Sequence, residues 1–212
     1  MCRGHGLLVH FKVQFSSAPE AFMRPATILQ ALGFLFLLGS AGYPTSAGAQ
    51  IEEASSPVAD PTDVESVDAI VAAVYDVISG PAGQARDWER FRSLFIPGAR
   101  LIPVGPRPEG KYGANVTTPE EYAEGANSYF LENGFFEDEI GRTQEEFGPV
   151  VHLFSAYQSK RTPEDPEPFA RGINSFQLMD DGTRWWIVTI YWTAEREDLP
   201  IPLRYIGGGD GS

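Results

Sequence analysis

The stretch between residues 171 and 193 constrains the fold more than any other part of this 212-residue chain. Two apolar runs flank Asp181-Gly182, and glycine supplies the positive φ that a tight hairpin turn requires. The second run, 185–192, is almost wholly β-branched or aromatic, which is typical of a strand. Because both of its faces are apolar, we expect helices on one face and a second layer or a partner subunit on the other.

Three helical patterns and three further strand-like runs surround this hairpin. Apolar residues at three- and four-residue steps, together with capping residues and Pro or Gly breakers, set the helix limits. The helices are predicted from Asp60-Pro61 to Gly80-Pro81, from Asp87 to Pro97-Gly98 and from Thr118 to Asn133-Gly134. The strands are predicted over 99–104, 135–142, 150–159, 169–179 and 184–193. Helices followed by antiparallel strands indicate an α+β domain.

The first 49 residues are predicted to be a leader. Residues 1–22 fit neither a signal nor a fold element, so Met23 is a candidate start. From there Arg24, an apolar run over 28–38 and Ala47-Gly48-Ala49 predict a signal peptide, 23–49, cleaved after Ala49. The protein would then be secreted or periplasmic and leave the membrane after cleavage, whereas the alternative is a retained helical anchor.

The remaining chain divides into three parts. Residues 50–60 are polar and small, and we expect a disordered lead-in there. Residues 61–204 are predicted to be one domain, and 205–212, with their glycine run, a flexible tail.

Charge and residue usage exclude several functions. The formal net charge of −13 argues against nucleic-acid binding and against an anionic membrane surface. The single cysteine, Cys2, lies in the leader, so no disulfide, thiol nucleophile or cysteine zinc site is expected in the domain. The acidic runs Glu137-Asp138-Glu139 and Glu145-Glu146 are expected to point at water. We therefore predict no metal site and no cofactor.

Residues 60–204 resemble a known family in the order of their motifs. A Trp88 to Leu101 pattern is followed by a Thr-Pro-Glu-Glu-Tyr helix start, by Phe147 to His152, and by the hairpin from Arg171 to Ile187. This order resembles the nuclear transport factor 2-like (SnoaL-like) superfamily, in its small secreted bacterial branch. The resemblance implies a cone-shaped α+β fold, with three N-terminal-half helices packed on the concave face of a curved, mixed or antiparallel sheet.

The same resemblance implies a pocket inside the cone and a homodimer formed through the outer sheet face. Enzymes of the superfamily use an Asp–His pair or an Asp–Tyr combination inside the cone. No inward-facing Asp can be placed on a matching strand of this sequence, and the superfamily also contains many non-catalytic members. The fold therefore does not choose the function.

His152 is the candidate catalytic residue. It is the only histidine downstream of the leader, and an imidazole pKa near 6.5 suits a general acid or base. The alternative is a histidine of the core or of an interface that only hydrogen-bonds a neighbour. Strand alternation places it with Phe154 and opposite Tyr157.

Aromatic residues and one amide are the candidates for ligand binding, because aromatic walls with polar tips suit a small apolar or aromatic ligand. They are Trp88, Tyr122, Phe154, Asn174, Phe176, Trp186, Tyr191 and Trp192. Strict alternation on the last strand would place Trp186, Val188, Ile190 and Trp192 on one face, and Trp185, Ile187, Thr189 and Tyr191 on the other.

Three functions are compatible with these residues. The first is a secreted protein that binds a small apolar or aromatic ligand, or a partner, in its cone. The second is an isomerase, dehydratase or hydrolase that uses His152 as acid or base, assisted by Tyr157 or Tyr191. The third is a structural homodimer with a filled cone.

Overall fold

The computed structural model describes residues 56–206, which lie within one compact unit. Four helices belong to this part of the chain: α1 (Pro61–Val64), α2 (Val67–Ile78), α3 (Trp88–Ser93) and α4 (Pro119–Glu132). Its six strands are β1 (Phe95–Pro106), β2 (Tyr112–Ala114), β3 (Phe136–Phe147), β4 (Val150–Lys160), β5 (Ala170–Asp180) and β6 (Trp185–Ala194). The predicted leader, most of the lead-in and residues 207–212 lie outside the described residues.

The strands form one open mixed sheet in the order β2-β1-β6-β5-β4-β3. All neighbouring strands are antiparallel except β1 and β6, which run parallel. The α+β fold predicted from the sequence is therefore confirmed. The hairpin that dominates the sequence, β5–β6, lies at the centre of the sheet.

Helix starts follow the capping residues. Thr118 and Glu121 form the predicted capping box of α4, with reciprocal side-chain-to-backbone bonds. The first predicted helix is instead two helices. The Ser66 side chain accepts a hydrogen bond from the Ala69 amide and begins α2 anew, so the segment before it is only the short α1.

The helices pack on one face of the sheet, which we call the inner face. On β4 and β5 the residues that point to it are alternate positions, 151 to 159 and 172 to 178, and all of them are buried. Tyr75 of α2 meets Phe176 of β5 edge to face, with ring centroids 6.2 Å apart. The opposite, outer face carries His152, Phe154 and Tyr191.

A β-bulge at Val188 makes the predicted alternation of β6 wrong. Thr189 pairs with Gln177 and Ile187 pairs with Leu178, so Val188 has no partner on β5. The inner residues of β6 are therefore Trp185 and Ile187 before the bulge and Ile190 and Trp192 after it. On the other side of β6, the register with β1 shifts between Phe95 and Arg100, where Pro97 lacks an amide donor.

A second bulge, at Ile140, lies in edge strand β3. Glu137 pairs with Ser159 and Glu139 pairs with Tyr157, and both partners are inner residues of β4. Both carboxylates therefore lie on the inner face. The expectation that this acidic run points at water is wrong for Glu137 and Glu139, which are half-buried, and holds for Asp138, which is exposed.

The buried Arg86 fixes the connection that leads into β3. Its guanidinium donates hydrogen bonds to the carbonyls of Ile78 (2.8 Å), Gly80 (2.6 Å) and Gln84 (2.7 Å). Gly80 in turn pairs with Phe135, the residue before β3. The start of β3, and with it Glu137, is thus tied to the end of α2.

The segment after β6 packs on the outer face. Ile201 is buried, and its amide donates a hydrogen bond to Glu195 at 2.8 Å. Tyr205 lies 5.6 Å from Phe154 between ring centroids. An apolar outer face gives this segment a surface on which to bury these side chains.

Candidate functional site

Polar side chains interrupt the apolar inner face at one place, where α2 lies over β3, β4 and β5. We call this group the inner polar cluster; it comprises Tyr75, Glu137, Glu139, Ser155, Ser159 and Asn174. Buried polar groups require hydrogen-bond partners, and the cluster supplies them internally.

The hydrogen bonds of the cluster run in one direction. Asn174 Nδ2 donates to the Tyr75 hydroxyl at 3.0 Å, and the Ser155 hydroxyl donates to Glu139 at 2.6 Å. Because Ser155 uses its only proton on Glu139, the 2.7 Å bond between Tyr75 and Ser155 is donated by Tyr75. The chain therefore leads from an amide donor to a carboxylate acceptor.

Glu137 occupies the other side of this cluster. Its Oε2 accepts a hydrogen bond from Ser159 at 2.8 Å, and its backbone amide donates to Ser79. Burial raises the pKa of Glu137 to about 7, although the hydrogen bonds from Ser159 and Asn174 act to lower it. Near neutral pH this carboxyl group therefore exists in both protonation states.

Three phenols lie close enough to Glu137 to sense its charge. Burial raises the pKa of Tyr75, Tyr122 and Tyr157, and the nearby Glu137 carboxylate raises each further. These tyrosines come from α2, α4 and β4, so Glu137 is enclosed from several sides. All three stay neutral and can donate hydrogen bonds at any physiological pH.

No cation compensates the charge of Glu137 within residues 56–206. The nearest ion pairs of the strand involve Glu139, whose carboxylate lies 3.5 Å from Arg142 Nε, and Arg142 also contacts Asp68. Neither Lys nor Arg forms an ion pair or a hydrogen bond with Glu137 in the described part of the chain. Glu137 is thus held by neutral donors alone.

An aromatic wall adjoins the cluster. Tyr122 meets Trp192 edge to face at 6.1 Å and stacks on Phe91 at 5.5 Å between ring centroids. Trp88 lies against Phe91 at 5.5 Å and donates its indole hydrogen bond to Asn127. As whole residues, Tyr122, Trp192 and Glu137 are only half-buried.

The structure divides the predicted ligand-binding residues between the two faces of the sheet. Five of them lie on the inner side: Trp88, Tyr122, Asn174, Phe176 and Trp192. Phe154, Trp186 and Tyr191 lie on the outer side, where Trp186 stacks under Arg184 and donates a hydrogen bond to Asp181. A single pocket cannot contain all eight.

Two cavities lie on the outer face. One, of about 250 Å³, is apolar and lies under the segment after β6; Phe154, Tyr191, Trp192 and Tyr205 are among the residues that line it. The other, of about 480 Å³, is lined by Gln158, Lys160 and Arg171 among others. Neither cavity reaches Glu137.

His152 lies on the outer face and not with the cluster. Its Nε2 is 3.1 Å from the Ser175 hydroxyl, and its ring meets Phe154 edge to face at 5.3 Å. Its neighbour on β3 is Glu145, but the two form no ion pair. The structure therefore gives His152 a hydrogen-bonding partner without a carboxylate.

Two further features concern possible metal and membrane sites. Within residues 56–206, no three His, Cys, Asp or Glu side chains lie together in a way that could hold a metal ion. None of the helices described is long and apolar enough to cross a membrane.

Glu137 and Tyr75 are the residues that the sequence analysis missed. Strand alternation would have placed Glu137 and Glu139 on the same face, but a charged pair in an edge strand is normally solvated. The signal that distinguishes them is on other strands: Ser159, Ser155 and Asn174 are polar residues at inner positions, and they mark where an inward carboxylate finds donors.

Solved structures with a similar fold include proteins of the family that the sequence resembles. A protein of unknown function with a cystatin-like fold from Nostoc punctiforme has a TM-score of 0.47 at 11% identity, over 65% of this chain and 92% of its own. A nuclear transport factor 2-like protein of unknown function from Methylobacillus flagellatus has a TM-score of 0.40 at 16% identity, over 62% and 95%. A second such protein, from Shewanella baltica, has a TM-score of 0.37 at 11% identity, over 62% and 98%.

At such TM-scores and identities the likeness says nothing about substrate or activity. No protein-family model matches the sequence, and no curated protein matches it significantly.

Proposed function

We propose that this protein binds a small molecule on the inner side of its sheet, with Glu137 as the polar anchor and the Tyr122–Trp192 wall as the apolar contact. One observation carries the proposal: the Glu137 carboxyl group is held on the inner face by neutral donors, and no Lys or Arg of residues 56–206 pairs with it. The ligand thus belongs with the inner polar cluster and not with His152.

The energetics of Glu137 favour a functional role over a structural one. A carboxylate buried without a countercharge destabilises a fold, and apolar residues of similar size would fill the same space at lower free energy. Strongly shifted ionisable groups in partly accessible interiors are typical of functional sites. A filled structural cone offers no reason to keep such a group.

The second candidate is proton-transfer catalysis by Glu137. Burial raises the pKa of Glu137 to about 7, which is the value at which a general acid or base works best near neutral pH. Tyr75, Tyr122 and Tyr157 supply neutral hydroxyl groups around it. In this version Glu137 takes the role that the sequence assigned to His152.

Native mass spectrometry of the purified protein tests the binding function without a choice of ligand. We expect a co-purifying small molecule with the wild type, retained in Glu145→Gln and lost or depleted in Glu137→Gln. Glu145 is the matched control because it is exposed on the same strand. Equal ligand occupancy in both variants would place the site elsewhere, and the apolar outer cavity would then be the next location to examine.

We also propose that the protein is secreted or periplasmic, with a signal peptide cleaved after Ala49. The support is the leader sequence, which lies outside the described residues. N-terminal sequencing of the protein from its native host should begin at Gln50. An intact leader on the mature protein would contradict secretion by this route.

Homodimer formation through the outer face is a further proposal. It is supported by exposed apolar side chains on that side of the molecule, such as Val150, Tyr191 and Leu203. Light scattering of the mature protein should give the mass of two chains. A monomeric mass at micromolar concentration would contradict it.

A further inference from the structure

We propose that the ligand of the inner polar cluster is a small organic ammonium ion, with Glu137 as its countercharge and the rings of Tyr122 and Trp192 as its apolar surround. This inference rests on the proposed function and adds the chemical class of the ligand. It follows from hydrogen-bond direction, charge and ring placement.

The hydrogen bonds around Glu137 prepare it for the ionised state. Ser159 and Asn174 both act as donors to its carboxyl group, and donors stabilise a carboxylate more than a neutral acid. An interior built to keep Glu137 neutral would offer it an acceptor for the acid proton. Residues 56–206 therefore supply hydrogen-bond donors to the Glu137 carboxylate but no positive charge to balance it.

The second requirement for an ammonium ligand is a set of aromatic ring faces near that charge. Tyr122 and Trp192 meet edge to face at 6.1 Å, and Tyr75 and Tyr157 lie within electrostatic reach of Glu137. Aromatic rings attract a cation through their quadrupole, and the attraction grows when water is excluded. A carboxylate beside several aromatic rings thus matches a ligand that combines positive charge with carbon surface.

The charge of the whole chain favours the same class of ligand. At a formal net charge of −13 the protein attracts cations and repels anions over distances of several ångströms to a Debye length. A carboxylate-bearing or phosphorylated ligand would be repelled both by the net negative charge of the chain and by the Glu137 carboxylate. We therefore exclude anionic ligands from the inner side.

Binding of a cation to Glu137 predicts a definite pH dependence. The groups that face Glu137 are Tyr75 from α2, Tyr122 from α4, Tyr157 from β4 and its own neighbours Asp138 and Glu139 on β3. Burial raises the pKa of each of the three tyrosines above its ordinary value, so they stay protonated over the pH range of the experiment, and Glu139 is paired with Arg142. A transition near pH 7 therefore reports Glu137.

Isothermal titration with matched probes tests the inference. Choline is the cationic probe and 3,3-dimethylbutan-1-ol, in which carbon replaces the charged nitrogen, is the neutral one; benzyltrimethylammonium and benzylamine extend the cation set. We expect at least one ammonium probe to bind at least about tenfold more tightly than the neutral isostere, an effect within the range of a desolvated cation site. Affinity should rise about tenfold from pH 6 to pH 8, because the ionised fraction of a group with a pKa near 7 rises from about 9% to about 91%.

Glu137→Gln should remove the preference for charge and the pH dependence, whereas Glu145→Gln should keep both. The pH profile of the wild type tests the inference even if Glu137→Gln fails to fold. Tighter binding of the neutral isostere, or no binding by any ammonium probe at millimolar concentration, overturns the ammonium assignment. In those cases a co-purifying neutral ligand that depends on Glu137 would leave the proposed binding function standing, whereas ligand occupancy independent of Glu137 would overturn both.

Discussion

At the scale of single residues, the free energy of Glu137 is the most informative property of the molecule. Its neighbours donate hydrogen bonds to it, yet burial still disfavours its charge. The side chain is therefore neither a surface carboxylate nor a paired core carboxylate. It is a group whose ionisation state depends on what occupies the space beside it.

The raised pKa of Glu137 predicts how the free energy of unfolding depends on pH. In the folded protein burial raises the pKa of Glu137 from 4.5 to about 7, so the unfolded chain releases this proton first. The resulting destabilisation is absent below pH 4.5, grows as the pH rises and is complete above pH 7. Glu137→Gln should therefore raise the free energy of unfolding at pH 8 by roughly 1–3 kcal/mol and leave it nearly unchanged at pH 4.5.

Urea denaturation at the two pH values measures this difference, with Glu145→Gln as the control that should behave like the wild type. The same gain in stability at both pH values would show that the glutamine acts by packing or hydrogen bonding and not by removing a titrating group.

The sequence reveals the existence of the polar residues on the inner face but not their organisation. Asn174 was recognisable as a polar residue in an apolar strand, because alternation places it on one face with Phe176 and Leu178. Glu137 was not, because the feature that brings it inside is its pairing with Ser159, 22 residues away. Contacts between distant residues decide which charged side chains are solvated, and a single sequence does not contain those contacts.

At the scale of secondary-structure elements, the bulges at Val188 and Ile140 decide which side chains share a face. The sequence predicts the positions of β4, β5 and β6 well, since alternation and turn residues are local properties. The sequence does not predict the bulge in β6, because both faces of this strand are apolar. Its residue pattern would look the same with or without an inserted residue. The assignments of Trp185, Trp186 and Tyr191 to faces depend on that bulge.

The close packing between β4 and β5 predicts the effect of a small substitution. A Cβ at Gly172 would lie 2.4 Å from the Tyr157 hydroxyl and 2.5 Å from the Thr193 carbonyl oxygen. The Thr193 carbonyl group belongs to the backbone of a central strand and cannot move aside easily. Gly172→Ala should therefore lower the free energy of unfolding by roughly 2 kcal/mol, as overpacking of a core does. Tyr157 would also shift away from the inner polar cluster.

Gly105→Ala is the matched control, since a Cβ added to this glycine of β1 would meet nothing within 4 Å. Thermal and urea unfolding of the two variants give the comparison. Equal stability of both would show that β4 and β5 separate more readily than their packing indicates.

At the scale of the whole molecule, the segment after β6 protects part of the outer face. It contributes the buried Ile201 and the contact between Tyr205 and Phe154, and it covers the apolar cavity of about 250 Å³. Pro200 and Pro202 disfavour helix and strand in this segment but do not prevent an extended segment from packing.

Removal of residues 196–212 should therefore expose apolar surface. We expect a loss of roughly 2–4 kcal/mol of stability, from the lost burial of Ile201 and its neighbours, and increased binding of a hydrophobic dye. Removal of 207–212 alone is the control and should change neither. Unchanged dye binding in the longer deletion would mean that the segment does not shield the outer face in solution.

The bulge at Val188 has a spectroscopic consequence. It turns Trp185 and Trp192 towards the core while Trp186 lies on the outer face under Arg184, and Trp88 packs with the helices. Intrinsic fluorescence of the protein therefore combines three half-buried indoles that pack against the core with one, Trp186, that packs under Arg184. Because Trp192 adjoins both Tyr122 and Asn174, a change in the tryptophan emission on addition of a small molecule would report occupation of the inner side without any label.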